Sequence, residues 1–324
     1  DAFLSRKNTL TGEILNFLKD SLLKPLVDGR AFNRTVFEVE KKNVLNDLKA
    51  EIEDHFYHAH QELNKLFYTK QDMQIPHFAT LDLVEKETPE SSFAVFQDML
   101  QNDKIDIFFI GDFNEIEVYE HLKMFGLHPR QPELHLHYHQ EFSNVLKEGL
   151  KQNDAHQSII ELGYHFSVQY GDRNHIPLVV LNGLLGGFAH SKLFVNIREK
   201  ESLAYTISSS IDIFSGMMRI YAGIDRKNRT KTVSLIYRQI ADLKKGRFTD
   251  EDLNQTKKML RNTMLLSLDR QNTLIERAYM ASVLQKRFMS IDVWLNALET
   301  VTREDIIVIA KQLKLQAVYF MEGK

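Results

Sequence analysis

NGLLGGFAHSKLFVNIREKESLAY, residues 182–205, links helix to strand, and its reading decides the fold of this 324-residue chain. Just before and within it, Leu178, Val179, Leu181, Leu184 and Leu185 recur at helical spacing after Pro177. That spacing predicts a buried helix ending at Gly186 and Gly187. A second short helix is expected over residues 191–200, with Leu193, Phe194 and Ile197 on its buried side. LAYTISSSIDIF then alternates and carries β-branched residues, so a strand follows. Arg198 therefore falls at a helix end and Tyr205 at a strand start.

Working outward, the length allows two domains. With 43% hydrophobic and 26% charged residues, the composition is that of an ordinary globular protein rather than a disordered one. A formal charge of −3 gives no reason to expect nucleic acid or an anionic membrane as a partner. No apolar run approaches the length that spans a bilayer. The absence of cysteine excludes disulfides, thiolate nucleophiles and cysteine-ligated zinc, and fits a reducing compartment, so a cytoplasmic location is expected. The chain opens DAFLSRKN, without an initiator methionine or signal peptide, so its first residue need not be the first of its gene.

In order, residues 10–26 read as an amphipathic helix closed by Pro25 and Gly29, and residues 35–68 as one much longer helix with a stripe from Phe37 to Phe67. Thr88-Pro89-Glu90 starts another helix, DIFFIG at 106–111 a strand, and residues 115–125 a helix. The second half then repeats the first. FLSRKNT at Phe3 resembles GIDRKNR at Gly223, and FNRTVFEVEKKNVLN at Phe32 resembles FTDEDLNQTKKMLRN at Phe248. TPESSFAVF at Thr88 resembles TREDIIVIA at Thr302, and IFFIGD at Ile107 resembles VYFMEG at Val318. Residues 3–111 thus correspond to 223–323, and 156–222 lack a counterpart, as if the first repeat were truncated at its front. The division expected is a first domain over 1–126, a linker over 127–154 and a second domain over 155–324.

The ordered series N-x-L-L-G-G, S-K-L-F, I-R-E-K and L-A-Y resembles the signature of the second half of pitrilysin/insulinase-type zinc peptidases, which include the mitochondrial processing peptidases. The resemblance covers nearly the whole chain. It implies an α/β fold of the α+β kind: two related domains, each an antiparallel-rich sheet covered by helices, closing like a clamshell. It also implies that Arg198 and Tyr205 reach toward a bound peptide. That chemistry is sound, since a guanidinium binds peptide carbonyls and a phenol can donate to an oxyanion. Without the resemblance, Arg198 reads as a helix cap and Tyr205 as sheet packing.

The family's first half carries His-x-x-Glu-His, and these 324 residues contain neither that motif nor His-Glu-x-x-His. Its third zinc ligand maps onto Asp47, with Glu40 as the earlier glutamate and Glu51 one turn on. Seven residues put Glu40 and Asp47 on one helix face, but aspartate is one methylene too short for a fixed ligand position. A solvated helix face is the plainer reading of all three. His135, His137 and His139 alternate in HLHYH, and His55, His58 and His60 cluster on the long helix; both groups read more readily as solvated than as metal ligands. No zinc or other cofactor is therefore expected. The chain reads as a pseudo-enzyme, most like the bacterial YmfF-like branch of the family, binding peptide as a non-catalytic subunit beside an active paralogue, with a homodimer or a heterodimer with that paralogue as the expected assembly. Two rivals stand: an active zinc endopeptidase whose motif precedes Asp1, and a non-proteolytic homodimeric scaffold that binds peptide.

Overall fold

The computed structural model describes residues 10–76, 78–136, 138 and 140–324. Its helices are α1 (Leu10–Leu23), α2 (Arg34–Glu53), α3 (His55–Phe67), α4 (Gln71–Gln74), α5 (Leu81–Lys86), α6 (Pro89–Asn102) and α7 (Glu115–Lys123), then α8 (His175–Asn182), α9 (Arg229–Lys244), α10 (Asp250–Ser267), α11 (Gln271–Leu284), α12 (Ile291–Thr300) and α13 (Arg303–Gln312). Five strands follow the first seven helices: β1 (Lys147–Gln152), β2 (Ser158–His165), β3 (Ala204–Asp212), β4 (Met217–Ile224) and β5 (Lys314–Glu322).

The chain divides into two compact units, one formed by residues 1–49 and 79–134, the other by residues 50–78 and 135–324. The first is helical. Leu15 of α1 is fully buried, Phe32 meets Phe93 edge-on at 5.2 Å, and Arg130 ties down the end of α6 by donating to the Leu100 and Asp103 carbonyls. Thr88 and Ser91 form a reciprocal cap at the start of α6, where Pro89 occupies the first turn. The expected strand over 106–111 is absent. Among its described residues this unit has no β-ladder beyond the single Val27–Phe32 bridge, so those backbone groups have no partner strand.

The second unit is built on one five-stranded sheet in the order β1-β5-β2-β4-β3, antiparallel except for the β1–β5 pair. Its two faces differ. Ile160, Leu162 and Tyr164 of β2, with Met218, Ile220 and Ala222 of β4, join Leu178, Leu181, Ile236, Ile306 and Ile309 in a core under the helices that follow in sequence. The opposite face receives α3, whose Ala59, Leu63 and Phe67 are fully buried against Ile159, Ala317, Tyr319 and Met321. The i, i+4, i+8 spacing of those three side chains makes one stripe, and burying Leu63 and Phe67 stabilises the contact by roughly 1.5–3 kcal/mol each. The approach is close enough that a Cβ on Gly163 would lie 2.7 Å from the Phe67 ring.

Two expectations are corrected here. The single helix over 35–68 is two helices, because the Asp54 side chain accepts from the Phe56 and Tyr57 amides and starts α3 afresh. Residues 147–152, inside the stretch expected as linker, form β1, which pairs in parallel with β5. The first repeat holds six helices, α1 to α6, and the second five, α9 to α13, so the short α4 has no counterpart. Thr302 caps α13 as Thr88 caps α6. The FLSRKNT motif lies outside the described residues.

Candidate functional site

The glycine-rich link folds as its spacing predicts. α8 runs into a π-helical turn over Gly183–Gly187, and Phe188 leaves it in extended conformation. Gly186 is required by proximity: a Cβ there would meet the Ser209 amide nitrogen at 2.6 Å. The Ser208 hydroxyl donates to the Gly186 carbonyl at 2.9 Å, and the Ser209 hydroxyl donates to Asn182 Oδ1 at 2.8 Å, which fastens this turn to β3.

A second π-helical turn, Phe194–Glu199, carries Arg198. Leu193, just before it, and Ile197 are buried as expected, whereas Phe194 is only partly covered and lies under the Arg198 guanidinium at 4.6 Å. The chain reverses at Ser202, whose φ of 50° is left-handed, and the Leu203 amide donates back to the Ile197 carbonyl at 3.1 Å. β3 begins immediately with an irregularity between Ala204 and Thr206 that turns Tyr205 outward, 63% exposed.

These turns bring Arg198 and Tyr205 into one open cleft of about 450 Å³, with Glu199, Ser202, Leu203, Ala204 and Asp225. Arg198 has a half-exposed side chain, and its Nε stands 4.0 Å from Glu199. An exposed pair at that distance contributes little, so the guanidinium stays available. The Tyr205 hydroxyl donates to Asp225 Oδ1 at 2.8 Å, and this hydrogen bond to a carboxylate raises the phenol above its ordinary range. Asp225 was not singled out in the sequence; it joins the site through the β3–β4 pairing. The arrangement offers an unblocked cation, a carboxylate and a phenol whose proton is committed to that carboxylate. It can hold a peptide by carbonyl-to-guanidinium bonds and by contact with the ring, whereas donating to an oxyanion would first break the Tyr205–Asp225 bond.

Among the described residues, the candidate metal ligands do not assemble into a zinc site. Glu40 and Asp47 are exposed on α2, and Glu51, on the same helix, bears on the Tyr57 hydroxyl. From Glu40 to Glu51 the helix rises roughly 16 Å, too far for one ion. His58 Nε2 contacts Lys151 Nζ at 3.0 Å and His55 Nδ1 contacts Asn153 at 3.2 Å, so each is engaged elsewhere. His60 is largely buried, and burial, reinforced by Arg219, lowers its pKa to about 4. His135 is exposed, and His137 and His139 lie outside the described residues. Among the described residues, no three histidine or acidic side chains are placed to hold a metal ion. Nor is any described helix long and apolar enough to cross a membrane.

Comparison with known proteins places the chain in a family. The chain belongs to the M16 peptidase family, matching the Peptidase M16 inactive domain over residues 86–260. It is 30% identical over its whole length to YmfF of Bacillus subtilis strain 168, described as a probable inactive metalloprotease, and spans 76% of that protein. Among solved structures, a conserved protein from Enterococcus faecalis V583 superposes with a TM-score of 0.95 at 34% identity, over all of this chain and 77% of that one. A peptidase M16 inactive domain from Pseudomonas fluorescens shares the fold, with a TM-score of 0.78 at 16% identity over 97% of this chain and 75% of that one. The chain is therefore an inactive-type M16 peptidase homologue with a mixed α/β fold.

Proposed function

We propose that this chain is a non-catalytic, peptide-binding M16 subunit that works beside an active paralogue. The observation that carries the reading is the Arg198–Tyr205 cleft. A half-exposed guanidinium, 4.0 Å from the exposed Glu199, is poised to donate to a peptide carbonyl or carboxylate, in a chain whose described carboxylates and histidines do not group as a zinc ligand set. Titration of an unfolded, fluorescently labelled peptide tests it. Arg198→Ala should weaken binding about fivefold to tenfold while the melting temperature stays within a degree or two. A fall of several degrees with binding intact would mean that Arg198 is structural. Co-purification with an active M16 paralogue tests the partner role; recovery only as a homodimer would favour a self-sufficient scaffold.

A further inference from the structure

The sheet face that receives α3 is only partly occupied. α3 lies over β1, β5 and β2. Beyond it, Thr206 of β3 with Arg219 and Tyr221 of β4 line an open cleft of about 410 Å³, shared with Asp54, Phe56, Tyr57 and His60 at the start of α3. Arg219 forms the floor. Its Nε and Nη2 both donate to Glu161, a fully buried carboxylate on β2, and its guanidinium lies 4.6 Å over the Tyr221 ring. Phe56 meets Tyr221 edge-on at 5.9 Å and closes an aromatic corner. Arg219 Nη1 is left with no hydrogen-bond partner among the described residues.

We infer that this cleft binds an extended, non-acidic peptide segment, with a main-chain carbonyl accepting from Arg219 Nη1 and an apolar side chain packed into the Phe56–Tyr221 corner. The inference rests on the peptide-binding reading above and adds the chemistry of the segment. Charge decides between ligands. Glu161 pairs with Arg219, His60 is neutral, and Asp54 adds a carboxylate at the start of α3, so the lining carries no net positive charge at neutral pH. An uncharged carbonyl needs no countercharge to accept from a guanidinium already paired on its other edge. An acidic side chain would be repelled by Asp54 and would compete with Glu161 for the same cation.

The test is fluorescence anisotropy on the full chain with two labelled peptides, one extended and leucine-rich without charge, the other carrying two glutamates in the same frame. The uncharged peptide should bind at least about fivefold more tightly. Glu161→Leu combined with Arg219→Met removes the pair without stranding a buried charge and should cost the uncharged peptide about fivefold. Phe56→Ala provides the same loss by a second route if the paired variant does not fold. Asp54→Asn keeps a good helix cap and should narrow the discrimination against the acidic peptide. Equal or tighter binding of the acidic peptide overturns the inference, as does unchanged affinity in a folded paired variant or in Phe56→Ala. Loss of binding in Arg198→Ala but not in these variants sinks the second cleft alone, whereas a wild-type chain that binds neither peptide sinks the functional reading as well.

Discussion

Two stretches of nearly the same character, IFFIGD at 107–112 and VYFMEG at 318–323, have different fates. The second lies largely in β5, hydrogen-bonded to β1 on one side and β2 on the other, with Phe320 and Met321 buried to within 1%. The first forms no strand, and its Ile107 and Ile110 are each 38% exposed. The difference teaches that alternation and β-branching describe a surface that fits a sheet; they do not supply one. A strand exists where its amides and carbonyls have neighbours, and among the described residues the sheet-bearing unit is the one that provides them.

The strongest way to break this contrast is Phe320→Ala. Its ring is packed among the fully buried side chains of the core, so urea denaturation should show a loss of about 3–5 kcal/mol. A loss below about 1 kcal/mol would mean that β5 is no better packed than its counterpart.

Acid should loosen the same unit. His60 and His175 are held near pKa 4 by burial, so they stay neutral in the fold while the unfolded chain takes up protons from about pH 6.5 downward. Stability therefore falls as pH drops from 6.5 toward 4. Glu161, raised by burial to about 7 against the pull of Arg219, works in the opposite sense, because the folded state gains its proton first. His175→Gln isolates one contribution. Between pH 7 and pH 5 it should lose about 2 kcal/mol less than the parent, and equal losses would refute the assignment.

A smaller effect is expected where the backbone itself is unusual. Ser202 adopts a left-handed φ without being glycine, so Ser202→Gly should stabilise by up to about 1 kcal/mol, read as a small rise in urea midpoint. A decrease would show that the serine side chain contributes more than the backbone conformation costs. Smallest of all, Ile110→Ala should change stability by less than about 0.5 kcal/mol. A cost above about 2 kcal/mol would place Ile110 in a packed site and erase the contrast between the two stretches.

Much of this was legible in the sequence where the signal is local. The helix stop at Gly186 and Gly187, the helix start at Thr88 and the strand after Leu203 depend on residues within a turn of one another. The break at Asp54 was local too, but the apolar stripe runs through it from Leu48 to Phe56 and conceals it; an aspartate just ahead of the new stripe was the available sign. What could not be read depends on register. Glu161 and Arg219 are 58 positions apart, and Tyr205 and Asp225 are 20 apart. They meet only because β2, β3 and β4 pair as they do. β1 was missed because KEGLKQ, an edge strand open to solvent along most of its length, has no apolar alternation to reveal it.

The order of strands in the sheet carries a consequence for how this unit is made. β5 is the last of these strands in sequence, yet it sits between β1 and β2 and, among the described residues, joins β1 to the rest of the sheet. Residues emerging from a ribosome would supply β1 through β4 well before the segment that joins them. Until Lys314–Glu322 arrives, β1 has no hydrogen-bonding neighbour and β2 has only β4. The nascent unit is thus committed to a late, long-range closure over roughly 160 residues, slow by its high contact order. During that interval, the surfaces that later clasp Phe320 and Met321 are open to chaperones and to mispairing with other chains.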